Sequence, residues 1–160
     1  MATNPAASEA AVEPKVHALG ILHWSIPVND LDESRRFYSE VLGMTYRDHL
    51  GPSMICMACS NPPQNVLLCK RPAPLETSEE LVGSSHYAFV VSPADFDRAV
   101  ENLERWFERP VLPDTPDRPG HWRAGWVEHR SVKFFQGRSL YFLDPSGNTL
   151  EICDLLPGQG

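Results

Sequence analysis

The chain contains an internal repeat, which limits the folds open to it more than any other feature of the sequence. Residues 20–43 contain a short apolar segment followed by an amphipathic one, and residues 84–107 repeat that order. Apolar residues in alternation predict a strand, whereas apolar residues every three or four positions predict a helix. Several short strand-like segments follow each predicted helix. The sequence therefore predicts an α+β fold made of two βαβββ modules.

Each predicted helix has its own start signal. Asn29 and Ser92 fall at matching positions of the repeat, and both are residue types that cap helix N-termini. Pro93 follows at the first helical position, where its missing N–H costs nothing, and Gly43 is predicted to end the first helix. Each helix should bury one apolar face, formed by Leu31, Ser34, Phe37, Tyr38 and Val41 in the first and by Phe96, Val100, Leu103 and Phe107 in the second.

Short apolar segments bounded by turn residues predict the remaining strands. The sharpest turn signal is Asp144-Pro145-Ser146-Gly147-Asn148, between the last two strands. The strands expected after the helices are 44–50, 53–59 and 64–70 in the first half, and a segment near 109–113, then 131–136, 139–144 and 148–154 in the second.

We expect a single domain over residues 18–156, preceded by a disordered tail at 1–17. Module one would span 18–70 and module two 84–156, joined by a linker at 71–83 that is rich in proline and charge. Residues 109–130 are rich in proline, arginine and tryptophan. They are interpreted either as a loop that covers substrate or as a plain surface loop.

Charge and composition exclude several classes of partner. The formal net charge is −7, from 14 basic and 21 acidic residues, whereas nucleic-acid binders normally carry a basic stripe. No apolar run approaches the roughly 18 residues that span a bilayer, and the N-terminus lacks the features of a secretory signal. Cys56 and Cys59 form a C-x-x-C without a second pair, so we expect reduced thiols and a cytoplasmic location. A small-molecule substrate is the expected partner, with no nucleic acid and no membrane.

Two histidines and one glutamate lie at nearly even spacing on predicted strands. His23 and His86 hold matching positions of the repeat, 63 residues apart, and Glu151 follows 65 residues later on the last strand. Two imidazoles and one carboxylate hold a divalent metal on one face and leave its other positions open. A single strand histidine is usually structural, but three matched positions favour metal ligands.

Strand alternation places these candidates on the smaller, more polar face of each strand. His23 shares its face with Ser25, and Tyr141 shares the face of its strand with Ser139. The bulkier apolar faces would pack on the helices. A mixed sheet that curves around its polar face would form a half-barrel lined by His23, His86, Glu151 and Tyr141.

With these motifs the sequence resembles the vicinal oxygen chelate superfamily, which includes glyoxalase I, bleomycin-resistance proteins, fosfomycin-resistance proteins and type I extradiol dioxygenases. The resemblance implies paired βαβββ modules around a metal, with His23, His86 and Glu151 as ligands by position, and often a homodimer. The matching stretches are HWSIPVNDLDESRRFYSEVLGM (23–44), SHYAFVVSPADFDRAV (85–100) and GRSLYFLDPSGNTLEICD (137–154).

Within this superfamily the leading interpretation is a non-heme Fe(II) extradiol-type dioxygenase that acts on a small aromatic diol. The metal would bring the diol and dioxygen together. Tyr141 would hydrogen-bond a substrate oxygen, and His129 or His121 would act as acid or base. The predicted substrate contacts are Ser25, Trp122, Trp126 and Ser139.

The alternative is a Mn(II)-, Ni(II)- or Zn(II)-dependent lyase or transferase, similar to glyoxalase or to fosfomycin-resistance enzymes, in which the ion acts as a Lewis acid. Glyoxalase I takes a fourth, carboxylate ligand from the last strand of its first half, where this chain has QNVLLCK and offers none. A further alternative is a non-catalytic drug-binding protein of the bleomycin-resistance type. The intact His/His/Glu set weighs against that interpretation.

Overall fold

The computed structural model describes residues 21–59, 63–73, 86–113, 125–129 and 137–155. Module one consists of β1 His23–Val28, α1 Leu31–Glu40, β2 Thr45–His49, β3 Met54–Cys59 and β4 Gln64–Lys70. Module two consists of β5 Tyr87–Val91, α2 Pro93–Phe107, β6 Leu112–Pro113, β7 Gly125–His129, β8 Gly137–Leu143 and β9 Thr149–Leu155. The predicted α+β fold with two βαβββ modules is confirmed; β6 lies within the strand segment expected near 109–113, and β7 is a strand that was not predicted. The predicted tail at 1–17 and residues 74–83 of the predicted linker lie outside the described residues.

Each module forms its own mixed sheet. The strand order is β1-β4-β3-β2 in module one and β5-β9-β8-β7-β6 in module two. In both modules the first strand pairs in parallel with the last, β1 with β4 and β5 with β9. As a result, β1 and β5 each lie at one edge of their sheet.

The helix ends follow the predicted signals with one correction. Asp30, not Asn29, caps α1: its backbone is extended and its side chain accepts a hydrogen bond from the Glu33 N–H. The helix begins at Leu31, so the capping position is Asp30, and Asn29 lies one residue earlier with its N–H donating to the Ser146 hydroxyl of module two. Ser92 caps α2 as predicted, with Pro93 following it. Gly43 ends the first helical segment with a φ of 64°, a conformation that glycine adopts without strain.

The predicted loop at 109–130 was wrong in part. Residues 125–129 form β7, which pairs antiparallel with β8, whereas β6 at Leu112–Pro113 agrees with the strand segment expected near 109–113. The backbone of residues 125–129 pairs with the edge that β8 presents, which composition alone could not distinguish from a loop. The strand predicted at 131–136 lies outside the described residues.

One hydrophobic core contains residues from both modules. Phe37 of α1 is fully buried, and its ring centroid lies 5.2 Å from that of Trp106 and 6.2 Å from that of Phe142. The apolar faces predicted for the two helices are buried or partly buried in this core. In the described parts of the chain, no helix has the length and apolar character needed to cross a membrane.

The predicted turn at 144–148 also ties the two modules together. The Tyr38 hydroxyl donates to Asp144 Oδ2 at 2.9 Å, and the Asn148 side-chain amide donates to the Pro27 carbonyl at 2.9 Å. The Arg71 guanidinium donates to Asn148 Oδ1 at 2.8 Å. These bonds join residues more than 75 positions apart and fix the end of β8 and the start of β9 against β1 and α1.

Candidate metal centre

A polar cluster forms where β5, β8 and β9 lie side by side. Tyr141 of β8 pairs directly with Glu151 of β9, and Ala88 of β5 pairs with Glu151 from the other side. His86 lies immediately before β5, and its Nε2 is 2.9 Å from Glu151 Oε2. The rings of His86 and Tyr141 meet edge to face, with centroids 6.0 Å apart. Three of the residues predicted for the site therefore converge within module two.

The Glu151 carboxylate is buried yet held in its ionised form. Only 6% of Glu151 is exposed, and burial alone would raise its pKa. Hydrogen bonds from Ser139, Cys153 and Tyr141, together with the nearby His86, outweigh that effect and lower the pKa of Glu151 below its ordinary value. The cluster thus maintains one negative charge beneath an accessible histidine.

The neighbours of Glu151 are kept protonated. Burial, helped by the adjacent Glu151 charge, raises the pKa of the Cys153 thiol to about 12. Burial and the hydrogen bond to Glu151 also raise the pKa of Tyr141 well above its ordinary value. At neutral pH both side chains are therefore hydrogen-bond donors and not anions.

His86 and Glu151 suit a divalent cation. Adjacent ligands of an octahedral ion with bonds of about 2.1 Å are about 3.0 Å apart, and Nε2 and Oε2 are separated by 2.9 Å. An imidazole and a carboxylate are ligands that Mn, Fe, Ni and Zn all accept. Two coordination positions of such an ion could therefore be supplied by these two side chains without moving their ligand atoms apart.

The third predicted ligand lies in the other sheet. His23 starts β1 of module one and is exposed, as is Ser25 two residues later on the same face. Among the described residues, no group of three His, Cys, Asp or Glu side chains lies close enough together to hold a metal ion. Within one chain the structure thus joins His86 to Glu151 but does not bring His23 to them.

Strand register shows how the two modules differ at equivalent positions. In module one, Leu67 pairs with Ser25 on one side and with Cys56 on the other. In module two, Glu151 holds the same place between Ala88 and Tyr141. Module one therefore repeats the histidine but carries leucine where module two carries the carboxylate, so the two half-sites are chemically different.

The remaining predicted site residues fall in several places. Ser139 is fully buried and contacts Cys153 and Glu151, so it supports the carboxylate from inside the sheet. The backbone of β7 places Trp126 opposite Leu140 and His129 opposite Gly137. The predicted roles of His121 and Trp122 concern positions outside the described residues.

Cys153 is a functional candidate to which the sequence interpretation gave no role. Its Sγ is 3.2 Å from Glu151 Oε1. Strand alternation already places Cys153 on the Glu151 face, which was the available signal. By contrast, the C-x-x-C spacing puts Cys56 and Cys59 on opposite faces of β3, and all of the described cysteines are free thiols.

A cleft of about 1280 Å³ lies between the modules next to this cluster. Trp24 and Gln64 line it from module one, and His86 and Phe89 line it from module two. Glu151 and Tyr141 are not among its lining residues, so the cleft meets the cluster at the His86 ring.

Comparison with known proteins agrees with this fold. Residues 20–152 match the sequence profile of the glyoxalase/bleomycin resistance protein/dioxygenase superfamily. The chain belongs to this superfamily, as its resemblance to the vicinal oxygen chelate proteins predicted.

Three individual relatives share 16–28% sequence identity with this chain. Glutathione transferase FosA of Serratia marcescens is 28% identical over 141 residues, which cover 81% of this chain and 77% of that protein. A glyoxylase/bleomycin resistance protein/dioxygenase domain from Frankia sp. EAN1pec has a TM-score of 0.60 at 24% identity, covering 89% of this chain and 96% of that one. A mutant of the fosfomycin resistance protein FosX of Listeria monocytogenes, complexed with Mn(II) and 1S,2S-dihydroxypropylphosphonic acid, has a TM-score of 0.62 at 16% identity, covering 89% and 95%. The structural matches show a shared fold.

Proposed function

We propose that the protein is a divalent-metal-dependent enzyme of the transferase or lyase type that acts on a small, oxygen-bearing electrophile. The observation that carries this proposal is the contact between His86 Nε2 and Glu151 Oε2, with Tyr141 beside both. A binding protein that only sequesters a drug has no need of a buried, ionised carboxylate next to an accessible imidazole.

The comparisons favour this alternative over the leading sequence interpretation. The curated relative is a glutathione transferase, and the structural neighbours include fosfomycin resistance proteins and a lactoylglutathione lyase from Agrobacterium tumefaciens. None of these is described as an Fe(II) extradiol dioxygenase. Addition of a thiol or of water to an epoxide, or isomerisation of a thiol adduct, therefore replaces dioxygenation as the proposed chemistry.

The metal of the proposed enzyme is a divalent cation, with Mn(II) as the first candidate. A FosX structure was obtained with Mn(II), and no comparison supports a preference for Fe(II). His86 and Glu151 would hold the ion, and His23 would supply the third ligand. Such an ion, when bound, polarises a substrate oxygen and stabilises the negative charge that develops there.

The chain's own residues would orient the substrate and stabilise its developing charge. Tyr141 is protonated, and in this structure its hydroxyl donates to Glu151. With the Glu151 charge shared with a cation, the same O–H would turn to a substrate oxygen that gains charge. Hydrogen-bond donors aimed at a developing oxyanion lower the barrier because they need no reorganisation during the reaction. Ser139 is too deeply buried to contact substrate directly, and its proposed role changes to support of Glu151.

We further propose that the complete site forms between two copies of the chain. His23 does not reach His86 and Glu151 within one chain, and β1 and β5 are sheet edges. Large apolar side chains are exposed next to these edges, including Leu22 at 83%, Val90 at 66% and Trp24 at 47%. Unpaired strand edges with apolar side chains are surfaces that a partner chain covers. A second copy would supply His23 to the cluster.

The test combines metal dependence with anaerobic turnover. Protein stripped with a chelator is reconstituted with Mn²⁺, Ni²⁺, Zn²⁺ or Fe²⁺ and assayed under nitrogen with glutathione plus a panel of small epoxides, and with glutathione adducts of 2-oxoaldehydes. Turnover without dioxygen in at least one metal form is expected. Glu151→Gln should abolish it, while His49→Ala, which removes an exposed histidine of β2, should not.

Two outcomes would contradict the proposal. Turnover of a catechol that requires Fe²⁺ and dioxygen would restore the dioxygenase interpretation. Tight ligand binding by metal-free protein, without turnover in any metal form, would favour the drug-binding interpretation.

A further inference from the structure

The buried thiol of Cys153 lies next to the candidate metal ligand. Cys153 follows Glu151 by two positions on β9, so both side chains project from the same face of the sheet. Cys153 pairs across the sheet with Ser139, and the thiol lies 3.7 Å from the Ser139 hydroxyl oxygen. Cys153 is buried, and no part of the proposed function uses it.

The two oxygens of the Glu151 carboxylate have different neighbours. Oε1 lies 3.2 Å from Cys153 Sγ, whereas Oε2 lies 2.9 Å from His86 Nε2. An ionised carboxylate only accepts hydrogen bonds, so the thiol is the donor. One oxygen is thus held from inside the sheet and the other faces the accessible histidine.

We propose that Cys153 is a positioning residue that anchors Oε1, so that Glu151 presents Oε2 alone to a cation beside His86. This inference rests on the proposed metal site. Groups that hydrogen-bond a metal-binding side chain fix its orientation, and their loss lowers metal affinity by about 10–100-fold. Without the Cys153 donor, the carboxylate would keep its hydrogen bonds from Ser139 and Tyr141 but could turn and offer both oxygens, which would change the number of bonds to the ion.

Module one supplies a matched control at the equivalent position. Cys69 follows Leu67 on β4 as Cys153 follows Glu151 on β9. The Cys69 thiol lies 3.9 Å from the Leu67 backbone carbonyl, and the residue two positions before it is a leucine and not a glutamate. Removal of the Cys69 thiol therefore tests the loss of a strand cysteine without the loss of a carboxylate anchor.

The experiment measures cation binding by metal-free protein. Mn²⁺ and Co²⁺ are titrated by calorimetry into wild-type protein, Cys153→Ala, Cys153→Ser and Cys69→Ala, and the visible spectrum of the Co²⁺ forms is recorded. We expect Cys153→Ala to weaken binding by about 10–100-fold and to change the Co²⁺ spectrum. Cys153→Ser keeps a hydrogen-bond donor, so its cation affinity and its Co²⁺ spectrum should resemble those of the wild type. Cys69→Ala should also have the affinity and the spectrum of the wild type. Wild-type affinity and an unaltered Co²⁺ spectrum in Cys153→Ala would overturn the proposal.

A metal-independent measurement separates this inference from the proposed function. The infrared S–H stretching band that disappears in Cys153→Ala belongs to this thiol. In the metal-free protein it should shift in Glu151→Gln, because an amide oxygen is a weaker acceptor than a carboxylate. An unshifted band would overturn the anchor itself. If the band shifts but wild-type protein binds neither cation, the proposed metal site fails and the positioning role fails with it.

Discussion

At the scale of single residues, the candidate site depends on how one carboxylate is kept charged. Burying an ionised carboxylate costs several kcal/mol unless partners compensate. Ser139, Tyr141 and Cys153 donate hydrogen bonds to Glu151, and His86 contacts its other side. Their combined effect exceeds the cost of burial, since the pKa of Glu151 lies below its ordinary value.

This balance predicts a pH-dependent contribution to stability. Because the pKa of Glu151 is lower in the folded than in the unfolded chain, its charge stabilises the fold above the unfolded pKa of about 4.3 and ceases to do so as pH falls through the lower folded value. Glu151→Gln should therefore lower the free energy of unfolding of metal-free protein near neutral pH. The deficit should shrink in acid, as measured by urea denaturation. Glu40→Gln, at an exposed position of α1, is the control, and a deficit independent of pH would contradict the prediction.

Replacing Tyr141 separates substrate activation from metal binding. Tyr141→Phe removes one hydroxyl from the cluster but leaves His86, Glu151 and the Cys153 contact in place. We expect metal to remain bound and turnover to fall by about 10²–10³-fold if the hydroxyl stabilises developing charge. Metal content and kcat of the purified variant test this, with Tyr46→Phe as the control. Loss of metal from Tyr141→Phe would instead show that the hydrogen bond from Tyr141 to Glu151 is needed to hold the ion.

At the scale of elements, the turn between β8 and β9 reverses the chain and also connects module two to module one. Asp144 Oδ1 accepts the backbone N–H groups of Ser146 and Asn148, which shapes the turn, and Oδ2 accepts the Tyr38 hydroxyl of α1. Burial raises the pKa of Asp144, although these hydrogen bonds oppose the shift. The turn that sets the register of Tyr141 opposite Glu151 is thus held by module one.

Tyr38→Phe should weaken this connection. The substitution keeps the buried ring but removes one of the two donors to Asp144 Oδ2, since the Asn148 side-chain amide still donates to that oxygen at 2.7 Å. Loss of one buried hydrogen bond costs about 1 kcal/mol. Chemical denaturation should show a loss of that size. Tyr46→Phe removes an exposed hydroxyl bonded to His49 and should change stability by no more than about 0.5 kcal/mol. Equal effects of the two variants would argue against the role of the turn contact.

At the scale of the whole molecule, the proposed dimer accounts for two observations in the described parts of the chain: β1 and β5 are sheet edges, and His23 is separate from His86 and Glu151. A symmetric dimer that placed β1 of one copy beside module two of the other would cover both edges and complete two equivalent sites. Each site would then contain His23 from one chain and His86 and Glu151 from the other.

Subunit mixing gives a direct test of this arrangement. His23→Ala and Glu151→Gln should each be inactive as homodimers. In a co-expressed heterodimer with shared sites, one site lacks both His23 and Glu151. The other site contains His23, His86 and Glu151, so about half of wild-type activity should return. A heterodimer purified with two different affinity tags provides the measurement. An inactive heterodimer would show that each site is built from one chain.

Local sequence patterns determined the two modules, the buried faces of the helices and the face on which the candidate site residues lie. The repeat predicted both βαβββ modules, and the apolar spacing identified the buried faces of α1 and α2. Strand alternation put His23, His86, Glu151 and Tyr141 on the polar face. These features depend on the side-chain repeat of two residues in a strand and 3.6 residues in a helix, which can be recognised within a short segment of sequence.

Tertiary structure decided what depends on contacts between distant residues. Residues 125–129 became a strand because β8 offered an edge to pair with. The pairing of His86 with Glu151 and the separation of His23 from them follow from sheet order and side-chain rotamers. Those are fixed by packing between segments far apart in sequence, and no local period encodes them.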